Sequence, residues 1–258
     1  MKKQRVSFAL IAVMIIASVF AAFFAGFEAK NVFSQDEQQS NPALKPLKSS
    51  GSTVVRLKLP AVDRQGNGAL ADLIVEASDA QNAGAGSVFI EVKEGSPLIN
   101  PDTQFSLRNA FEAARGAGAR VNSKNLYYSI HADSDVVGGE SAGAALAIAT
   151  IAAVEGKKLR SDALITGGVD ASGVITRVGG ILEKARAAKQ AGYSIFLVPL
   201  GEGKQRVPVE SCREERSENV FFRECTTSFE EKNVSEEAGI KIVEVSNLSQ
   251  AFELMVSP

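Results

Sequence analysis

The sequence is poor in the residues that most metal and triad chemistry uses: of its 258 residues one is histidine, His131, and two are cysteines, Cys212 and Cys225. A zinc site draws Cys, His and carboxylate ligands together at short spacings. These cysteines do not form a CxxC pair and the histidine is remote from them, so no metal site is read here. A Ser-His-Asp triad is open only through His131. No GxxxxGK[ST] phosphate loop occurs and no stretch is long enough for an ATPase module, so the chain is expected to have neither an ATPase of its own nor a cofactor. An excess of charge is missing as well. With 28 Lys plus Arg against 30 Asp plus Glu, the formal net charge is -2; nucleic acid, which needs a basic footprint, is excluded as a partner. No internal repeat is found.

What is present divides into segments. Residues 6–27, VSFALIAVMIIASVFAAFFAGF, run for 22 residues without a charge, enough at about 1.5 Å per residue to cross a hydrocarbon core of about 30 Å. This is longer than the roughly 7 to 15 apolar residues of a cleaved signal peptide, and is read as a transmembrane signal-anchor. Lys2, Lys3 and Arg5 precede it and Glu28 is the first charge after it, so the positive-inside rule puts residues 1–5 in the cytoplasm and the rest on the extracytoplasmic side of the membrane. Residues 28–52 include QDEQQSNPALKPLKSSGS, too polar to repay ordering, and are read as a linker. Cys212 and Cys225 lie in the outer part, where they could form one disulfide in an oxidising compartment or stand as two free thiols.

Residues 53–258 are expected to form one α+β domain of layered sheet and helices. Residues 53–59, 71–77 and 88–92 have the β-branched and apolar content of strands. Asp102 or Thr103 is positioned to cap a helix through FSLRNAFEAARGAG, and residues 126–131 (LYYSIH) make the next strand. Residues 141–154, SAGAALAIATIAAV, are nearly free of charge and read as a helix buried on most of its circumference. Strands at 163–166 and 173–176, a helix at 180–190, strands at 194–199 and 240–245 and a helix at 247–256 complete the pattern. Residues 201–238 interrupt it as a charged insertion holding both cysteines and the Phe221–Phe222 pair, read as a lid, a docking surface or a decorative loop. Asn233 and Asn247 fit N-x-[ST].

Two short segments carry the chemistry. GGESAGAALAIAT puts Ser141 where a glycine loop gives way to a helix, so that unpaired backbone N–H groups, those of Ser141 and Ala142, converge near its hydroxyl. A serine at a helix start is also a common N-cap. Forty-three residues on, RVGGILEKARAAKQAGY puts Lys184 near the start of a second helix.

Together these segments resemble the Lon peptidase family. GGESAG resembles its nucleophile motif around Ser141, VGGILEKARAAKQAG its lysine motif at Lys184, and ALITGGVDASGVITRVGG between them its strand-turn-strand, with Thr166 at the threonine near the dyad. The resemblance covers residues 126–199 well, extends weakly back to 53, and is lost over 201–238. It implies a Lon proteolytic-domain fold (ribosomal protein S5 domain 2-like) and a Ser-Lys serine endopeptidase acting on polypeptides. In that reading Ser141 is the nucleophile, Lys184 the base, Thr166 the residue orienting the lysine, and His131 a structural or substrate-facing residue. Rings of identical subunits are the family's tendency. Glu140 departs from the proline of bacterial members towards the acidic residue of archaeal-type ones, and an acid there would oppose neutralisation of the lysine. Asp133 and Asp135 lie in the approach loop without an assigned role. Two other functions stay open: a non-catalytic, membrane-anchored interaction module on the same fold, and a small-molecule phosphate binder using the glycine loop and helix N-terminus.

Overall fold

The computed structural model describes residues 51–258 except 83, 85, 92–96, 134–135, 218–219 and 258. The apolar run 6–27 and the linker up to residue 50, like Asp135, lie outside the described residues. No helix among the described residues is long and apolar enough to cross a membrane.

Strand β1 (Thr53–Val62) turns back into β2 (Gly68–Asp79), antiparallel over their whole length, with Leu57 opposite Leu73 and Leu59 opposite Ala71. Period-2 alternation buries Val55, Leu57 and Leu59 on one face, with Val54 and Arg56 exposed on the other. The connection is an Asx turn: Asp63 Oδ1 accepts from the N–H groups of Gln65 and Asn67, and Asp63 N–H donates to Asn67 O at 2.8 Å. The short strands β3 (Val88–Ile90) and β4 (Leu98–Ile99) precede helix α1 (Pro101–Gly116). Asn100, not Asp102 or Thr103, caps α1. Its carbonyl accepts from Thr103 N–H, and Pro101, lacking an N–H, fits the first turn.

Strand β5 (Lys124–His131) pairs antiparallel with β2 and parallel with β3, giving a first sheet in the order β1-β2-β5-β3. After β6 (Val136–Val137) the chain makes a 3-10 turn at Glu140–Ala142 and enters helix α2 (Gly143–Glu155). All residues of α2 from Gly143 to Ala153 are buried, as an all-apolar helix requires. It packs on β1 and β2 and against α1. Tyr128 OH on β5 and Thr150 Oγ1 on α2 stand 2.6 Å apart, and Thr150 Oγ1 donates to Leu146 O, so both buried hydroxyls are satisfied.

Strands β7 (Ala163–Ile165), β8 (Gly168–Val169) and β9 (Ile175–Thr176) lead to helix α3 (Ile181–Gln190) and strand β10 (Ile195–Pro199). The insertion then forms a long two-stranded ribbon, β11 (Lys204–Ser217) and β12 (Val220–Asn233), and ends in the short helix α4 (Val234–Ala238). Cys212 and Cys225 sit directly opposite one another on it and form a disulfide. The ribbon's root rests on α3: Gln205 Oε1 accepts from Leu182 N–H at 3.3 Å, and Arg186 pairs with Glu237 at 3.6 Å. Strand β13 (Lys241–Val245) completes a second, parallel sheet in the order β13-β10-β7, and helix α5 (Leu248–Met255) follows. Both N-x-[ST] asparagines cap helices: Asn233 accepts from Ser235 N–H and Asn247 from Gln250 N–H.

Helix α3 also lies on β1 and β2, and Gly68 sets how close it comes. A Cβ at Gly68 would stand 2.0 Å from Glu183 O and 2.9 Å from Ala187 Cβ. Backbone cannot yield as a flexible side chain would, so Gly68→Ala should push α3 off the sheet. The expected loss is on the order of 1 to 3 kcal/mol in denaturant unfolding. An unchanged midpoint would show that the close approach is not needed.

Candidate active site

Two glycine contacts, at Gly139 and Gly143, shape the loop that presents Ser141. Gly139 has φ of 118°, in the region that favours glycine, and a Cβ there would lie 3.8 Å from Ser141 Oγ. A Cβ on Gly143 would stand 2.8 Å from Val169 N, so the start of α2 can meet β8 only as glycine. The apolar run 141–154 predicts a helix beginning at Ser141. Instead Ser141 occupies the 3-10 turn before it and is half-buried, with its hydroxyl free of any capping bond. Gly143 N–H donates to Glu140 O and Ala144 N–H to Gly167 O.

The strand that follows α2 is tied to the serine turn by its backbone. Gly167 N–H donates to Ser141 O at 3.1 Å, and Thr166 Oγ1 reaches the same oxygen at 3.5 Å. Thr166 is fully buried. Its hydroxyl therefore buttresses the serine turn; the expected bond to the lysine amine is not made in this arrangement.

Lys184 lies on the buried face of α3 with Ile181, Ala185 and Ala188, and is only 4% exposed. Burial disfavours the ammonium and lowers its pKa to about 8; the neighbouring carboxylate of Glu183 opposes this in part. The acid acting on the lysine is thus Glu183 rather than Glu140. Among the described residues no hydrogen bond joins Ser141 Oγ to Lys184 Nζ. What the two share is the β1–β2 hairpin: the serine turn packs on β1, Gly180 at the start of α3 meets Val62, and Glu183 meets Gly68.

Beside Ser141 opens a cleft of about 450 Å³. Its walls are the end of β1 and start of β2 (Leu59, Val62, Leu70), the Asx turn from Asp63 to Gln65, and Thr103, Asp133 and Gly139. The hairpin turn is a part of the site not expected from the sequence; its signal is DRQGN, turn residues between two apolar strands. His131 stands at the end of β5, outside the cleft's lining, cross-strand from Asp72 and with Nε2 3.4 Å from Ser129 Oγ. Ser129 in turn bonds to Glu91. A triad through His131 has no support in this placement.

With this geometry established, comparison with known proteins is informative. Residues 118–220 match the Lon protease (S16) C-terminal proteolytic domain. The archaeal Lon protease of Methanocaldococcus jannaschii is 32% identical over 102 residues, covering 36% of this chain and 16% of that protein. The archaeal Lon protease of Thermoplasma volcanium is 25% identical over 132 residues, 51% of this chain and 20% of that protein. The Lon protease of Anaeromyxobacter dehalogenans is 35% identical over 83 residues, 32% and 10% of the two. The chain thus spans at most a fifth of the length of these relatives. Both findings support a serine peptidase, and the matched span contains Ser141, Thr166 and Lys184.

The buried amine has a thermodynamic signature. Its folded pKa of about 8 lies below the ordinary 10.5, so the unfolded chain holds more protons between these values and stability rises with pH across that window. The penalty is fully present below pH 8 and gone above 10.5. Lys184→Met should therefore stabilise the fold at pH 7, by at most roughly 3 kcal/mol, and the gain should shrink as pH is raised. A destabilised Lys184→Met variant, or a gain independent of pH, would contradict the burial argument.

Proposed function

We propose that this chain is an ATP-independent serine endopeptidase, with Ser141 as nucleophile and Lys184 as general base, acting on unfolded or flexible polypeptides. The observation that carries the reading is a lysine buried to 4% exposure, on a helix packed against the same hairpin that walls a cleft open at Ser141. A serine hydroxyl is a weak nucleophile at neutral pH, and a lysine serves as its base only when uncharged. A pKa of about 8 leaves a usable fraction of neutral amine near pH 7 to 8.

In the proposed reaction the neutral Nζ of Lys184 accepts the Ser141 proton while Oγ bonds to the scissile carbonyl carbon. The carbonyl oxygen becomes an oxyanion, for which the amides of Ser141 and Ala142 are the candidate donors. The ammonium of Lys184 then protonates the leaving amine, the C–N bond breaks, and an acyl-enzyme remains. Water attacks the ester with Lys184 again as base, releasing the acid and restoring the serine. In the resting arrangement no hydrogen bond joins the hydroxyl and the amine, and in the proposed reaction the two meet before attack. That gap is the one observation favouring the rival reading, a non-catalytic interaction module.

The same proposal includes the setting. Residues 6–27 anchor the chain by a single span, 28–52 tether the domain, and the domain works on the extracytoplasmic side, an oxidising setting in which the disulfide between Cys212 and Cys225 persists. Assembly into a ring of identical chains belongs to this reading as well.

Ser141→Ala and Lys184→Ala should each lower cleavage of an unstructured fluorogenic polypeptide by about 10²-fold or more, and added ATP should change nothing. For the unmodified chain, kcat/KM should rise with pH and level off above an apparent pKa of about 8. A serine-reactive phosphonate that labels Ser141→Ala as well as the unmodified chain, or a Lys184→Ala variant with full activity, would sink the assignment.

A further inference from the structure

We infer that Arg64 is a specificity-determining residue, which makes the cleft beside Ser141 select polypeptides carrying an acidic side chain next to the scissile segment. The inference rests on the peptidase reading above for the identity of the substrate, but its physical basis is the cleft itself. Arg64 stands in the turn between β1 and β2, lines the cleft that also contains Ser141, and is exposed.

Two features make it more than a solvated surface arginine. The first is that the turn presenting it is preorganised. Asp63 Oδ1 is held by the N–H groups of Gln65 and Asn67, its Oδ2 accepts from Asn67 Nδ2, and Asp63 N–H and O both bond within the turn. The backbone hydrogen bond from Asn67 is the main cause of the lowered Asp63 pKa. Its carboxylate is thus committed to its own turn and does not pair with the neighbouring guanidinium. A substrate would meet Arg64 on a fixed support, without first ordering a loop.

The second is that Arg64 has no counter-charge of its own. Among the described residues it makes no ion pair, and neither does Asp133, the other uncommitted charge lining the cleft. The two line one cleft without bridging it. The rest of the lining is mixed: Leu59, Val62 and Leu70 give aliphatic surface beside the polar side chains of Gln65, Thr103 and Ser141. Low-dielectric surface beside an uncommitted charge strengthens its pull. The guanidinium fork matches a carboxylate in two parallel hydrogen bonds, so the side chain it recognises is Glu or Asp. Asp133 works against this at its own part of the cleft, and its neutralisation should sharpen the preference.

The test uses the full-length chain in detergent and an unstructured peptide in which Glu, Gln or Lys is placed at each position in turn. Cleavage is followed in the active chain, and binding by fluorescence anisotropy in a Ser141→Ala background. At one or two positions Glu should be favoured over Lys on the order of tenfold, less at about 0.5 M salt. Arg64→Glu should invert the order at those positions, Arg64→Lys should keep part of it, and Asp133→Asn should widen it. An unchanged Glu-to-Lys ratio in Arg64→Glu, or a uniform loss for all three peptides, would overturn the inference. If no peptide is cleaved but binding to the Ser141→Ala chain shows the Arg64-dependent preference, the peptidase reading fails and the recognition stands. If binding shows no preference, the recognition itself is refuted.

Discussion

The structure turns on one unfavourable placement: the amine of Lys184 sits in a wall of alanine and aliphatic carbon, where its charge is poorly solvated. A lysine head group normally reaches water on its long stem. On α3 it is largely kept from doing so, because it shares a buried face with Ile181, Ala185 and Ala188 and the helix packs on β1 and β2. The fold therefore holds at one point a group that would be more stable elsewhere, and such groups gather where chemistry needs them. The β1–β2 hairpin against which that helix packs also walls the cleft at Ser141.

Small residues supply the means. Gly68 lets β2 touch the backbone of α3, and Gly143 lets the start of α2 touch β8. The serine turn is then fixed from behind by Thr166 and Gly167, which bond to its carbonyl oxygen and leave its hydroxyl unengaged. The β1–β2 hairpin links the halves: one part of it walls the cleft at Ser141 and the other packs on the lysine helix. The inserted ribbon leans on that same helix through Gln205.

Much of this was legible in the sequence because periodicity reports burial. The unbroken apolar run of α2 and the alternation of β1 announced the core, and GGESAG and GGILEKARAAK singled out Ser141 and Lys184 through their resemblance to the Lon peptidase motifs. Cap positions were less legible. Asn100 captures α1 although Asp102 and Thr103 are equally good capping types, because Pro101 fixes where the first turn begins. The ribbon was legible only as an insertion: it is exposed on both faces, so its strands carry no apolar alternation. The role of Thr166 depended on which of two partners its hydroxyl meets, which spacing along the chain does not determine. The cleft's turn was missed because residues at a hairpin bend look the same whether they face open solvent or a substrate.

The central claim concerns one proton, and it can be watched directly. In the full-length chain with lysines labelled in 13C and 15N, the side-chain signals should be followed through a pH titration and assigned by comparison with Lys184→Arg. The account predicts one lysine titrating near pH 8, missing from the variant, with the others near the ordinary value of 10.5. If every lysine, Lys184 included, keeps its proton to beyond pH 10, the amine is not desolvated and cannot act as the base at neutral pH.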